Sequence, residues 1–352
     1  MDHVPALFRA FPALVDRVPW VSLGLRETPL LAVTLQAPDG PREILVKRDD
    51  LSGEPYGGNK LRKLEFILAD AEQRGARRLI TAGAAGSHHA FATAVYGRMR
   101  GFAVELVLFP QALTDHVREV LLMDHGAGAR LRFVPRMEMV PFGVAVARAR
   151  SWREKPYVVA PGGSDAVGTL GYVSAGLELA EQLAASALSR PGAVHVAAGT
   201  LGTAAGLALG LALADVSLPI KATRITGRIV ANQRALRALI GGAAERLRAC
   251  GVNVPDEDMV AATVELRHDH IGAGYGRETE AGREATRIFS GVGLRLDPTY
   301  TAKAAADLLG TPSHEPPLFV HTLSAAEPLD LARAADPETL PAPFRRYVGG
   351  LT

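Results

Sequence analysis

The sequence predicts an α/β protein of two doubly wound domains with mostly parallel sheets. Three observations predict it. Short β-rich runs alternate with helical periods from about residue 44 to residue 320. The strand cores are almost continuously apolar, as in Leu79-Ile80-Thr81-Ala82 and Val194-His195-Val196-Ala197-Ala198, which is the pattern of strands covered by helices on both faces. The chain's 352 residues suffice for about two domains with an ample core.

In order along the chain, residues 1–40 carry prolines at 5, 12, 19, 29 and 38 and read as irregular chain wrapped over a surface. Ile44-Leu45-Val46 is the first clear strand. Leu61, Leu64, Ile67, Leu68 and Ala71 recur at helical spacing up to a stop near Gly75, and Leu79 to Ala82 is a strand halted at Gly83. A helix over 89–100, a strand over 104–109, a helix over 114–125, a strand over 131–134 and a helical segment near 140–152 follow. The strand over 157–160 runs into Pro161-Gly162-Gly163-Ser164. An apolar stripe at Leu170, Val173, Leu177, Ala180 and Ala184 marks a longer helix. Then come strand 194–198, helix 203–214, strand 220–226, helix 230–249, strand 260–266, helices 280–289 and 300–309, and the apolar run Leu318-Phe319-Val320. There is no repeat, no low-complexity segment and no linker of separable composition.

Composition narrows the function classes. The chain is 48% hydrophobic and 22% charged, and its formal net charge of +2 creates no field for nucleic acid. The basic residues between 224 and 295 are interspersed with acids and apolar residues, the pattern of a solvated surface. The single cysteine, Cys250, excludes an internal disulfide and fits a reducing compartment; in an apolar run before Gly251 it reads as a packed thiol. Met1 to Val18 show no signal peptide, and no window reaches the roughly 18 uninterrupted apolar residues of a membrane span. The longest apolar run, Ala204 to Ala214, suits a buried helix. The expectation is a soluble, cytoplasmic protein with neither nucleic-acid nor membrane partners.

In parallel sheets ligands bind at the carboxyl ends of strands, so the strand-to-helix turns carry the candidates. Gly57-Gly58-Asn59-Lys60 lets the backbone approach a ligand and presents a lysine at a helix start. Lysine becomes a nucleophile when burial or a neighbouring cation lowers its pKa, and Arg62 and Lys63 lie close by. Taken alone, the tetrapeptide reads first as a helix start with a solvated lysine. Gly199-Thr200-Leu201-Gly202-Thr203 follows a strand and opens a helix, a natural cradle for a small phosphate group or a plain strand-to-helix turn. It lacks the Gly-Lys-Ser/Thr ending of a nucleotide loop and the spacing of the dinucleotide fingerprint. Ser87-His88-His89 offers a hydroxyl at a helix N-terminus, or simply an N-cap, and no acidic or cysteine partner completes a metal site. Tyr275, Tyr300 and Thr322 sit on further loops or strand ends, where packing and capping are the commoner roles.

Together and in this order, these segments resemble the tryptophan-synthase-β-like, fold-type II pyridoxal-phosphate enzymes, and among them the family of 1-aminocyclopropane-1-carboxylate deaminase and D-cysteine desulfhydrase. The resemblance runs from about Val21 to about Thr322 and is strongest in Lys47-Arg48-Asp49-Asp50-Leu51 with Gly57-Gly58-Asn59-Lys60-Leu61-Arg62-Lys63-Leu64-Glu65. It implies pyridoxal 5'-phosphate as cofactor, Lys60 linked to its aldehyde, and Asn59 and Gly199 to Thr203 around it, with the loop holding the phosphate. Thr322 would reach the pyridine nitrogen and His88 the phenolic oxygen. Ser87 would face the substrate, and Tyr275 and Tyr300 would be proton donors. It also implies a homodimer, with a larger domain of residues 1–60 and 167–352, a smaller one of 61–166, and the active site between them.

Four positions depart from the family. Ser87-His88-His89 stands where Ser-Asn-His is usual, and Thr301 where the deaminases carry a glutamate serving the pyridine nitrogen. Leu201 replaces a glycine, and His321-Thr322-Leu323-Ser324 replaces His-Thr-Gly-Gly. A hydroxyl instead of a carboxylate at the nitrogen disfavours a fully developed carbanion, so the expected reaction is α,β-elimination on a small amino acid, giving a keto acid and ammonia. Racemisation, β-replacement and a non-catalytic amino-acid binder are the alternatives on the same scaffold.

Overall fold

The alternation of strands and helices is realised as two separate sheets. The structure is a computed structural model and describes residues 3–348. Helix α1 (Ala6–Ala10) precedes a hairpin of β1 (Leu30–Ala37) and β2 (Gly40–Lys47), and α2 (Asn59–Gln73) follows the turn that carries Lys60. Next come β3 (Arg78–Ala84), α3 (His88–Met99), β4 (Ala103–Phe109), α4 (Asp115–Gly126), β5 (Arg130–Phe133), α5 (Val140–Arg150) and β6 (Pro156–Val158). These strands form an all-parallel sheet in the order β5-β4-β3-β6.

The chain continues through α6 (Thr169–Ala185), β7 (Val194–Ala198), α7 (Gly202–Leu213), β8 (Ile220–Arg224), α8 (Gln233–Ala249), α9 (Glu257–Ala262) and β9 (Val264–Arg267). Then come α10 (Glu280–Ser290), α11 (Thr301–Gly310), β10 (Leu318–Val320) and α12 (Leu329–Ala334). The second sheet has the order β1-β2-β10-β7-β8-β9 and is parallel except for β1, which pairs antiparallel with β2. No helix among the described residues is long and apolar enough to cross a membrane.

The chain parts into two compact units. The larger comprises the residues up to Val18, Gly24–Phe66 and Ser164–Ala326; the smaller comprises Pro19–Leu23, Ile67–Gly163 and the residues from Glu327 on. The sequence places the C-terminal segment in the larger domain, whereas here it groups with the smaller one. Helix α12 packs against α4 so closely that a Cβ on Gly126 would stand 1.9 Å from the Leu331 carbonyl oxygen.

Two elements differ from the sequence reading. Residues 30–37, read as irregular, form β1, an edge strand in which only Leu35 is buried, so no inward-facing alternation marks it. Residues 260–266, read as one strand, divide between α9 and β9. The Asp256 carboxylate accepts from the Asp258 and Met259 N–H groups at 3.0 Å, and this N-cap carries the helix into the β-rich run. Cys250, at the C-terminal end of α8, is half-buried instead of packed away.

Within the larger unit, Ile44, Val46, Ala305 and Phe319 share one apolar core with Phe289, whose ring stands edge-on to Phe319 at 5.1 Å. Helices α6 and α7 meet across a glycine seam. A Cβ on Gly210 would lie 2.2 Å from the Val173 carbonyl oxygen, one on Gly206 2.7 Å from that of Thr169, and one on Gly176 2.8 Å from that of Leu207. The charged cluster that ends β2 is a buried ion network. The Arg62 guanidinium donates to Asp49 Oδ1 at 2.8 Å and to Glu178 Oε2 at 2.9 Å, Lys47 pairs with Glu178, and the Tyr172 hydroxyl donates to Asp49. Two cations balance two carboxylates, so each buried charge has its counter-charge. Burial pushes the Glu178 carboxyl up, but the Arg62 and Lys47 charges outweigh it and hold the group well below the usual range. This network clamps the first turns of α2, and so fixes where Lys60 stands.

Candidate active site

Lys60 is the second residue of α2, after a turn built for close approach. Gly58 has φ +77°, and a Cβ there would lie 2.6 Å from the Thr322 carbonyl oxygen and 3.0 Å from the Ser324 nitrogen. That carbonyl accepts the Asn59 N–H at 3.1 Å, and the Ser324 hydroxyl accepts the Gly57 N–H at 2.9 Å. Thr322 is thereby brought beside Asn59, and Ser324 spends its hydroxyl bracing the lysine turn. The Lys60 ammonium donates to Asn59 Oδ1 at 2.8 Å. Burial lowers its pKa to about 8, against the Asp297 carboxylate, which acts to raise it. Arg62 is not the cause that the sequence suggests; its charge is taken by Asp49 and Glu178.

The loop after β7 is a cradle. Leu201 adopts φ +66°, a left-handed conformation in which glycine is at ease, and no side chain caps the N-terminus of α7. Around it, Asn59 Nδ2 donates to Thr203 Oγ1 at 3.1 Å, and the Ser164 and Thr200 hydroxyls pair at 2.6 Å. The Lys63 ammonium donates to Ser164 Oγ at 3.3 Å. A Cβ on Gly202 would fall 2.5 Å from Ser164 Oγ and 3.0 Å from Lys63 Nζ, so only glycine leaves this space open. Lys63 is buried, and burial, then the Lys60 charge, pulls its pKa well down. Helix-terminal N–H donors, hydroxyls and a cation that gains from an anion are what a phosphate monoester requires. The donor set therefore fits pyridoxal phosphate.

The tyrosines form a pair. Their hydroxyls are 2.7 Å apart and their rings meet edge-on, while Tyr300 Cε1 lies 3.3 Å from where a Cβ on Gly199 would be. Burial raises the pKa of both, with Tyr300 carried well above its ordinary value by the neighbouring Tyr275 as well. Both stay protonated and able to donate. Behind Tyr300 stands Asp297, which accepts the Tyr300 N–H at 2.6 Å and the Thr301 hydroxyl at 2.7 Å.

In the smaller unit, Ser87 caps α3 by accepting the Ala90 N–H at 3.3 Å, the commoner of the two roles open to it in sequence. The His88 ring lies against His116 with centroids 4.8 Å apart, and His89 Nε2 meets Thr81 Oγ1 at 3.0 Å. Sequence reasoning missed Lys63 and Asp297 as site residues. Lys63 had a usable signal, since three residues from Lys60 puts it on the same helix face; Asp297 showed only as an acid shortly before a helix.

The pyridoxal-phosphate dependent enzyme family matches residues 21–321. Nocardicin C-9' epimerase of Nocardia uniformis subsp. tsuyamanensis is 35% identical over 93% of this chain and 98% of that protein. D-cysteine desulfhydrase of Salmonella paratyphi B is 36% identical over 80% of this chain and 86% of its own. Among solved structures, an ACC deaminase homologue superposes with a TM-score of 0.75 at 33% identity, covering 92% of this chain and 96% of that one.

Proposed function

The chain belongs to the pyridoxal-phosphate dependent enzymes, and from that membership we propose that it is a lyase or deaminase that takes a small amino acid by α,β-elimination to a keto acid and ammonia. The observation that carries this is Lys60, an amine with a pKa near 8 in the same unit as the phosphate cradle and the tyrosine pair. Bound, the cofactor supplies an electron sink beside the amino acid's Cα. Lys60 would hold the cofactor aldehyde until the substrate amine takes its place, and the freed Nζ would then take the Cα proton. Gly199 to Thr203, with Asn59, Lys63 and Ser164, hold the phosphate.

Tyr300, with Tyr275 behind it, gives a proton to the β-substituent as it leaves; the released 2-aminoacrylate takes up water and yields the keto acid and ammonia. Thr322 serves the pyridine nitrogen, His88 the phenolic oxygen and Ser87 the substrate. These roles rest on the family motif, and a homodimer belongs to the same reading.

Epimerisation is the second reading, favoured by the 35% identity to an epimerase over 93% of the chain. Both reactions begin with removal of the Cα proton and part at whether a β-substituent leaves. The test is to screen the holoenzyme against small D- and L-amino acids, D-cysteine and β-chloroalanine included, for keto acid, and in deuterium oxide for Cα exchange. Keto-acid release abolished by Lys60→Ala is expected. Exchange or inversion without keto acid supports the epimerase reading, and turnover that survives Lys60→Ala overturns the role of Lys60.

A further inference from the structure

Arg224 is the last residue of β8 and is paired in register with Ala198, the last residue of β7 before the phosphate loop. It is 5% exposed, and its Nε and Nη1 are enclosed with no hydrogen-bond partner among the described residues. A buried carboxylate or lysine can relieve such a state by changing protonation, but arginine keeps its charge. An enclosed guanidinium therefore calls for a counter-anion. Among the described residues no carboxylate pairs with it. The charges acting on its surroundings are the exposed Arg228 and His268, with Asp269 acting on His268. The nearby Arg267 is already engaged by Glu265 and Asp307.

The position is informative. Arg224 stands at the carboxyl edge of the sheet, the edge at which parallel sheets bind ligands. Two residues on, the Thr226 hydroxyl donates to the Gly199 carbonyl at 2.7 Å. The segment after β9 runs from His268 to Tyr275, whose hydroxyl meets Tyr300. Arg224 thus stands two residues before a hydrogen bond to the phosphate loop and on the strand beside the one that leads to Tyr275, yet it is not among the charges that shift Lys60 or Lys63.

We infer that Arg224 anchors a second anion site, separate from the phosphate cradle, which takes a carboxylate or phosphate group, foremost the distal anionic end of the amino-acid substrate. The planar guanidinium suits two-pronged pairing with either group. The substrate assignment rests on the reading above, while the anion site does not.

The holoenzyme tests both, because its cradle is filled by the cofactor. Calorimetric titration and thermal melts would compare 2-aminoadipate, the neutral norleucine and inorganic phosphate on wild type, Arg224→Gln and Arg224→Lys. We expect 2-aminoadipate to bind wild type at least about tenfold more tightly than norleucine. Arg224→Gln should erase that preference and Arg224→Lys should keep part of it. A phosphate-dependent rise in melting temperature in wild type alone, with no preference for 2-aminoadipate, upholds the anion site and overturns the substrate assignment. Wild type that responds to neither anion overturns the site, and this outcome holds even if Arg224→Gln fails to fold. A preference for 2-aminoadipate in an enzyme that releases no keto acid leaves the site standing and removes only the proposed reaction.

Discussion

Asp297 and Thr301 close a ring of hydrogen bonds at the start of α11. The Thr301 hydroxyl donates to Asp297 Oδ2 at 2.7 Å, and the Asp297 N–H donates back to the same hydroxyl oxygen at 2.7 Å. The threonine that stands where the deaminases carry an acid thus has a carboxylate directly behind it. An acid four residues upstream in sequence is thus hydrogen-bonded to that hydroxyl.

That carboxylate raises the pKa of Lys60 against burial. Asp297→Asn keeps an acceptor for the Thr299 and Tyr300 N–H groups but removes the charge. The Lys60 pKa should then fall further below about 8, by roughly 0.5–1 unit. The pH at which Lys60 of the apoprotein half-reacts with an amine-modifying reagent measures it. An unchanged or upward shift would contradict the electrostatic role.

Gly202→Ala drives a methyl group toward Ser164 Oγ and Lys63 Nζ, which a Cβ would approach to 2.5 and 3.0 Å. Overpacking of this kind costs on the order of 1–3 kcal/mol, about fivefold to 150-fold if it falls on affinity. The loss should appear in the dissociation constant of the cofactor, followed by the absorbance of the apoprotein on titration. The apoprotein should also melt at a lower temperature, because the methyl group meets the same side chains there.

Arg62→Met leaves Asp49 and Glu178 buried without their shared cation. Breaking such a pair typically costs about 3–5 kcal/mol, which denaturant unfolding would read directly. Because α2 carries Lys60, turnover should fall too, although Arg62 touches none of the cradle residues. A variant as stable as wild type would show that the network is not what holds α2.

Asp124, on α4, is fully buried, neither carboxyl oxygen has a hydrogen-bond partner among the described residues, and burial raises its pKa well above the ordinary value. A folded-state pKa raised above the unfolded one means that the folded chain binds the proton more tightly. Stability is therefore greatest below the ordinary carboxyl pKa and is lost as pH rises through the raised one. Asp124→Asn removes this dependence. Melting temperatures at a series of pH values should show the variant gaining on wild type as pH rises, and parallel curves would sink the idea.

Much of this was legible in sequence because it is written in local pattern. The parallel strands, the turn before Lys60 and the loop at Gly199 to Thr203 are each set by a few consecutive residues. What escaped depends on pairing across distance. Strand β1 exposes most of its residues, so nothing in its own pattern marks it, and it exists through its pairing with β2. Arg62 read as a possible cause of the Lys60 pKa; its partner Glu178 lies more than a hundred residues away, so its structural purpose was invisible. Asp297 caps the start of α11 and also acts to raise the Lys60 pKa, a coupling that no local pattern shows.

The seam between α6 and α7 extends the demands of the cradle far beyond the residues that line it. The cradle is the first turn of α7, so any side chain added at Gly206 or Gly210 would lever the whole helix and carry Gly202 and Thr203 with it. Cofactor affinity is then a property of how two helices mesh along their length. An engineer retuning this enzyme would find no room for a side chain at Gly206 or Gly210, although neither glycine touches the cradle's anion.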